Sequence, residues 1–175
     1  SMTHIFNGMT PFHHRNPGLI GAAMRFRDTY GEVICDGNHS NVNSLNNLFM
    51  AKGRDYTIMI TDALMVKGIP VGTKVLFGGN EIELYEDGSA HLTSTKGLAG
   101  STLKVNMGLK VLVEKAMVPW DYAINSCTLN PARLLGIDSR KGAIRAGNDA
   151  DIVVLNDDYS VETTYARGKV VYEKQ

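Results

Sequence analysis

From His4 to about Gly68 the chain alternates short β-rich runs with helical ones: Thr3 to Phe6, Gly21 to Phe26, Glu32 to Cys35, Asn41 to Lys52 and Tyr56 to Thr61. Strand-like runs separated by helix-length stretches predict a βαβαβ unit, and with it parallel strands. The second helical run is marked at both ends. It starts at Ser40 and Asn41, carries Val42, Leu45, Leu48 and Phe49 at helical spacing, and stops at Gly53;. A helix with one such apolar face packs against a sheet.

Beyond Gly68 the grammar changes. Lys74-Val75-Leu76-Phe77 and Glu81-Ile82-Glu83-Leu84-Tyr85 flank a Gly-Gly-Asn turn, which predicts a hairpin within Gly72 to His91, with His91 facing solvent;. Lys96 to Gly100 reads as a glycine-bearing loop. Ser101 is placed to cap a helix carrying Leu103, Met107 and Val111. Pro119 opens another at its favoured first position, and a third runs through Asn130-Pro131-Ala132 to Gly136;. Gly142 to Tyr172 is β-rich again, with runs at Asp151–Leu155, Val161–Tyr165 and Gly168–Tyr172;. No internal repeat or low-complexity segment is present.

Composition excludes several classes of partner. The chain has 175 residues, 43% of them hydrophobic, enough for a sizeable core;. Lys plus Arg and Asp plus Glu both number 18. That balance gives no basic field for nucleic acid or an anionic membrane, and no apolar stretch is long enough to span a bilayer. Cys35 and Cys127 lie apart in apolar runs and read as reduced, buried thiols of a cytoplasmic protein.

Four motifs occur in order: Thr3-His4-Ile5-Phe6-Asn7-Gly8-Met9 with His13-His14-Arg15 and Pro17-Gly18, then Asp36-Gly37-Asn38-His39, Thr61-Asp62-Ala63 and Leu98-Ala99-Gly100-Ser101. As a set they resemble the carboxy-terminal half of the N-acetylglucosamine-6-phosphate deacetylases. Asn130-Pro131-Ala132 and Gly147-Asn148-Asp149-Ala150-Asp151-Ile152-Val153-Val154 are similar to the wider amidohydrolase superfamily. The fold this implies is α/β: residues 1–138 as the last three or so strands and helices of a (β/α)₈ TIM-type barrel, with a hairpin insertion at about 72–92. Residues 139–175 would be a β-sandwich segment of a small domain. The site would lie at the carboxy ends of the barrel strands.

The implied chemistry is metal-assisted hydrolysis of an acetamide, a poor electrophile that calls for a divalent ion, zinc first and iron second. By the same resemblance His4 is a metal ligand and Asp62 the general base and then general acid. Asn7, the backbone near Gly8 and the segment Leu98, Ala99 and Gly100 would contact the sugar. Arg15 and His39 would grip the phosphate, for which a guanidinium offers forked donors. Alternatives read from the residues alone are a turn-capping Asp62, a hydrogen-bonded core or surface His4, a solvated Arg15, a helix-leading His39 and a plain connector at Leu98–Gly100. Of His13 and His14, adjacent in the chain, at least one is structural, and neither is assigned to a metal.

The family also uses a glutamate and two further histidines from strands preceding the position of Thr3. One histidine does not hold a catalytic ion, which typically takes about three protein ligands plus water. The expectation is a chain inactive alone: a fragment, a truncated product or one of two complementing chains, pairing as a homodimer or with the amino-terminal half. A non-catalytic, self-associating fragment is an alternative. So is another amidohydrolase acting on a cyclic amide or deaminating a base, although neutral substrates need no phosphate grip.

Overall fold

A computed structural model describes residues 1–175. Its elements are α1 (Gly18–Arg25), β1 (Gly31–Ile34), α2 (Val42–Lys52), β2 (Thr57–Ile60), β3 (Lys74–Phe77), β4 (Asn80–Leu84), β5 (Ser89–Leu92), β6 (Leu98–Ser101), α3 (Val105–Lys110, continued by a π-helical turn Val111–Lys115), α4 (Trp120–Cys127), α5 (Leu129–Leu134), β7 (Ile152–Leu155), β8 (Val161–Ala166) and β9 (Lys169–Glu173). The architecture is α/β, with one parallel pair and two antiparallel sheets.

β1 and β2 pair in parallel, Gly31 opposite Thr57 and Ile34 opposite Ile60. Both strands are almost wholly buried, Glu32 and Ile60 being the partly exposed members, as a sheet covered on two sides requires. α2 crosses between them. Asn41, in extended conformation, accepts the Asn43 N–H on its side chain, and Gly53 ends the helix with φ +72°. Its inward face, Leu45, Leu48 and Phe49, is fully buried with Val33, Cys35, Met59, Leu109 and Leu112 in the main core.

The expected strand at Thr3–Phe6 is mostly a turn. Met2 forms one parallel bridge to Gly31 and the Ile5 N–H donates to Glu32 O at 2.8 Å. His4 (φ +34°) and Phe6 (φ +81°) then leave the extended region, and the Asn7 N–H closes onto His4 O at 2.9 Å. β-rich composition predicts a strand here, but two residues in the left-handed region cannot continue one.

The hairpin at 72–92 is present and extends into a four-stranded antiparallel sheet, β3-β4-β5-β6. Gly78 (φ +57°) and Gly79 (φ +82°) are the two central residues of its first turn, the positive-φ pair such a turn demands;. Leu98–Gly100, expected as a loop, is strand β6 against β5. Ser101 ends β6 and caps no helix; its hydroxyl donates to Thr61 O and accepts the Leu103 N–H, and α3 starts four residues later. Pro119 stands just before α4 and not within it. His91 is also engaged, not free in solvent: it stacks on Tyr85 at 4.4 Å and bonds Ser89 Oγ and Lys96 O, each at 2.8 Å.

β7, β8 and β9 form the expected β-rich end. Tyr159, in the turn between β7 and β8, docks it on the helices: the ring lies 5.9 Å from that of Trp120, and Asn106 donates to Tyr159 O at 2.9 Å. At the other end of the helices, fully buried Asn130 donates from Nδ2 to Arg54 O and Thr57 O, both at 2.9 Å, fastening α5 to the start of β2. Asn130→Ala would strip the buried Thr57 carbonyl and the partly buried Arg54 carbonyl of their donor. We expect it to lower unfolding free energy by about 2–4 kcal/mol in a urea titration; a loss below about 0.5 kcal/mol would show that this link carries little.

Candidate functional site

Met2, β1 and β2 are parallel neighbours, so their carboxy ends lie along one rim. Each strand runs out into a residue with reactive or ligating chemistry: His4 after Met2, Asp36 to His39 after β1, and Asp62 after β2. The register places Asp36 and Asp62 alike, each two residues beyond the last pair, Ile34 and Ile60.

Asp62 has φ +48°, is exposed, and its carboxylate makes no hydrogen bond or ion pair with the protein. Its backbone is held firmly: Ser101 N–H donates to Asp62 O at 2.9 Å, and Ala63 bridges Ser101 in parallel. This docks β6 against the rim. Gly100 makes the approach possible, since a side-chain carbon there would lie 2.8 Å from Leu64 and 2.9 Å from Asp62 O, on a backbone already at φ +65°. A non-glycine residue held at positive φ costs on the order of 1–3 kcal/mol and persists where surroundings over-determine it. Both His4 and Asp62 are such residues.

His4 is half-buried, and its Nδ1 is sealed from solvent without a hydrogen-bond partner. Gly8 turns over it, so that a side-chain carbon at Gly8 would stand 4.0 Å from His4 Cε1. Asn7 reaches back to Ile5 O at 3.5 Å. Arg15 is exposed, with no side-chain partner, in a tight turn in which His13 Nδ1 accepts the Arg15 N–H at 3.3 Å and the His13 and His14 rings lie 4.4 Å apart. Both of those histidines face solvent.

His39 is paired with Asp36, its Nδ1 2.6 Å from Oδ2. Burial pushes the Asp36 carboxyl up, but hydrogen bonds from the His39 ring and from the His39 and Asn38 N–H groups outweigh it and hold its pKa below the ordinary carboxylate value;. Asp36 is the residue that reading the sequence for site residues left out. The Asp-x-x-His spacing in a glycine turn was its available signal.

The structure therefore brings Asp62, Gly100 and the end of β6 together, and Gly8 over His4. Arg15 stands out in solvent. No three His, Cys, Asp or Glu side chains lie close enough to hold a metal ion. Nor do the clefts of about 430 Å³ (Asp36, Asn38, Asp87, Lys104) and about 730 Å³ (Lys104, Lys110, Asp158, Lys174) include His4, Asp62 or Arg15. Both cysteines are free, and burial raises both thiols, Cys127 to about 11.

The Amidohydrolase family profile matches residues 61–171. The chain is 39% identical over 171 residues to N-acetylglucosamine-6-phosphate deacetylase of Bacillus subtilis (strain 168), covering 98% of this chain and 42% of that protein. It is 34% identical to the human protein of the same name, again over 98% and 42%. A putative N-acetylgalactosamine-6-phosphate deacetylase of Escherichia coli (strain K12) is 34% identical and matched over 98% of its own length. Among solved structures, N-acetylglucosamine-6-phosphate deacetylase from Thermotoga maritima superposes with TM-score 0.89 at 28% identity, over 98% of this chain and 46% of that one. A mutant of the enzyme from Mycobacterium smegmatis, in complex with N-acetyl-D-glucosamine-6-phosphate, does so with TM-score 0.89 at 29% identity, over 97% and 44%. The chain belongs to the amidohydrolase family. It spans about two fifths of the length of most of these relatives and nearly all of one.

Because the folded Asp36 pKa is depressed, its contribution to stability is complete above the unfolded value of about 3.9 and is lost as pH falls through the folded value. The stability difference between the protein and its Asp36→Asn variant should accordingly shrink as pH drops below about 4 in acid-titrated denaturant melts. A difference that stays constant from pH 6 to pH 2 would contradict the assignment.

Proposed function

We propose that this chain is the carboxy-terminal part of an enzyme that hydrolyses the acetamide of N-acetylglucosamine 6-phosphate to glucosamine 6-phosphate and acetate. In this reading residues 1–138 are the last three strands and helices of a (β/α)₈ barrel, and 139–175 belong to a small β-sandwich domain. The observation that carries it is Asp62: a free carboxylate on a strained backbone, at the rim of parallel strands shared with His4 and His39. The names of the relatives, and four motifs met in the family's order, support the substrate.

Asp62 takes a proton from the attacking water and returns it to the departing amine, since an amine leaves as a neutral molecule only once protonated. Arg15 and His39 hold the phosphate. Asn7 and the backbone at Gly8, Leu98, Ala99 and Gly100 surround the sugar, with β6 locked to Asp62 O so that a shift of one moves the other. A divalent metal, zinc ahead of iron, would polarise the acetyl carbonyl. The orphaned Nδ1 of His4 marks the one donor this chain offers it. One imidazole does not fit a catalytic metal centre, so these residues alone do not make the site.

The setting is cytoplasmic, and the chain works with a second polypeptide or a second copy. Val153, Val154, Val170, Val171 and Tyr172 are exposed on adjacent positions of β7 and β9, hence on both faces of that sheet, which favours a covering partner;.

Two assays test the reading. The isolated chain with zinc should release no acetate from N-acetylglucosamine 6-phosphate, whereas a chimera in which it replaces the matching segment of the Bacillus subtilis deacetylase should. In that chimera Asp62→Asn should lower kcat by about 10²–10⁴-fold with little change in KM. A folded chimera without activity, or near-normal turnover of the variant, would contradict it.

A further inference from the structure

His39 makes a single side-chain hydrogen bond to the protein. Its Nδ1 meets Asp36 Oδ2 at 2.6 Å, with the two side chains only 4% and 9% exposed. The other carboxylate oxygen, Oδ1, is occupied by the N–H groups of Asn38 and His39, each at 2.9 Å. The carboxylate is thus fixed by three donors before any ligand arrives, and the imidazole is fixed by the carboxylate. Nε2 has no partner in the protein and is not among the polar atoms sealed from solvent.

An ionised carboxylate can only accept hydrogen bonds. The nitrogen facing it must therefore be the donor, which puts the one proton of a neutral His39 on Nδ1 and leaves a lone pair at Nε2. A lone pair repels an oxyanion. A phosphoryl oxygen that carries no proton of its own is held at Nε2 only by the doubly protonated ring, whose charge faces the Asp36 carboxylate across Nδ1;. The other charged groups sharing the cleft with Asp36 are Asp87, Lys104, Lys110 and Lys115.

We propose that Asp36 is a positioning residue which fixes His39 as its Nδ1–H form and presents Nε2 to the ligand, where a phosphoryl oxygen is held by the imidazolium. The proposal rests on the phosphate role given to His39 above. It adds that the grip is set by a residue that touches no substrate, and that binding the anion takes up a proton at a known atom.

The test is ring ¹⁵N NMR of the full chain, with inorganic phosphate as the probe. The neutral ring of His39 should show the Nδ1–H tautomer. Asp36→Asn keeps Oδ1 for the two backbone N–H groups but turns an amide donor toward the ring, so the tautomer should invert to Nε2–H. Binding phosphate should leave Nε2 protonated in the natural protein, with uptake of a proton, whereas in the variant it should meet a neutral Nε2–H already in place and take up none; equal proton uptake by the two proteins would also overturn the proposal. An Nε2–H tautomer in the natural protein, a measurement that needs no variant, would overturn the proposal, as would a variant with unchanged tautomer. Inversion of the tautomer with no response of His39 to phosphate would uphold the orienting role of Asp36 and overturn the phosphate grip of His39.

Discussion

Parallel pairing is the constraint on which the rest depends. With β1 beside β2, and Met2 beside β1, every carboxy end in this layer points the same way, and a single edge receives His4, Asp36, His39 and Asp62. An antiparallel arrangement of the same strands would send alternate members to the opposite edge. The pairing in turn rests on α2, whose Leu45, Leu48 and Phe49 cover one side of the strands. That burial is worth on the order of 1.5–3 kcal/mol for each large apolar side chain.

Rigid strands deliver the groups, and strained turns aim them. Asp62 leaves β2, and His4 the single bridge at Met2, with positive φ, against ordinary preference, and each is tied by a backbone hydrogen bond to a neighbour. The β3–β6 sheet reaches the rim through Ser101, which bonds to both Thr61 and Asp62. Asn38 Nδ2 donates to Asp87 O at 3.3 Å and Thr102 Oγ1 to Gly88 O at 2.7 Å, so the tip of that sheet also touches the loop carrying His39. One antiparallel sheet thus braces two of the three turns that carry the candidate chemistry.

What could be read in the sequence follows from which forces are local. α2 was legible because its cap, its apolar spacing and its terminal glycine lie within fourteen residues of one another. β7 to β9 and the hairpin were legible from alternating runs and turn glycines. Leu98–Gly100 was not: one leucine followed by an alanine and a glycine looks like a loop until β5 on one side and Ala63, bridged to Ser101, on the other give the strand partners. The turn at Thr3–Asn7 was hidden by its β-rich composition. Of the site, His4, His39 and Asp62 could be picked out because each sits in a motif that resembles the deacetylases; only Asp62 also stands at the end of an apolar run. Asp36 was passed over because its importance lies in a side-chain contact, and Arg15 shows in the fold only as an exposed, unpartnered cation.

The central claim is that the rim formed by these strand ends receives an amino-sugar phosphate. Backbone chemical-shift mapping of the chain with N-acetylglucosamine 6-phosphate tests it most directly. The account predicts shifts concentrated at Asn7, Gly8, Arg15, His39 and Leu98 to Gly100. Shifts confined to the lysine-lined cleft of Lys104, Lys110 and Lys174, or none at millimolar sugar phosphate, would contradict it.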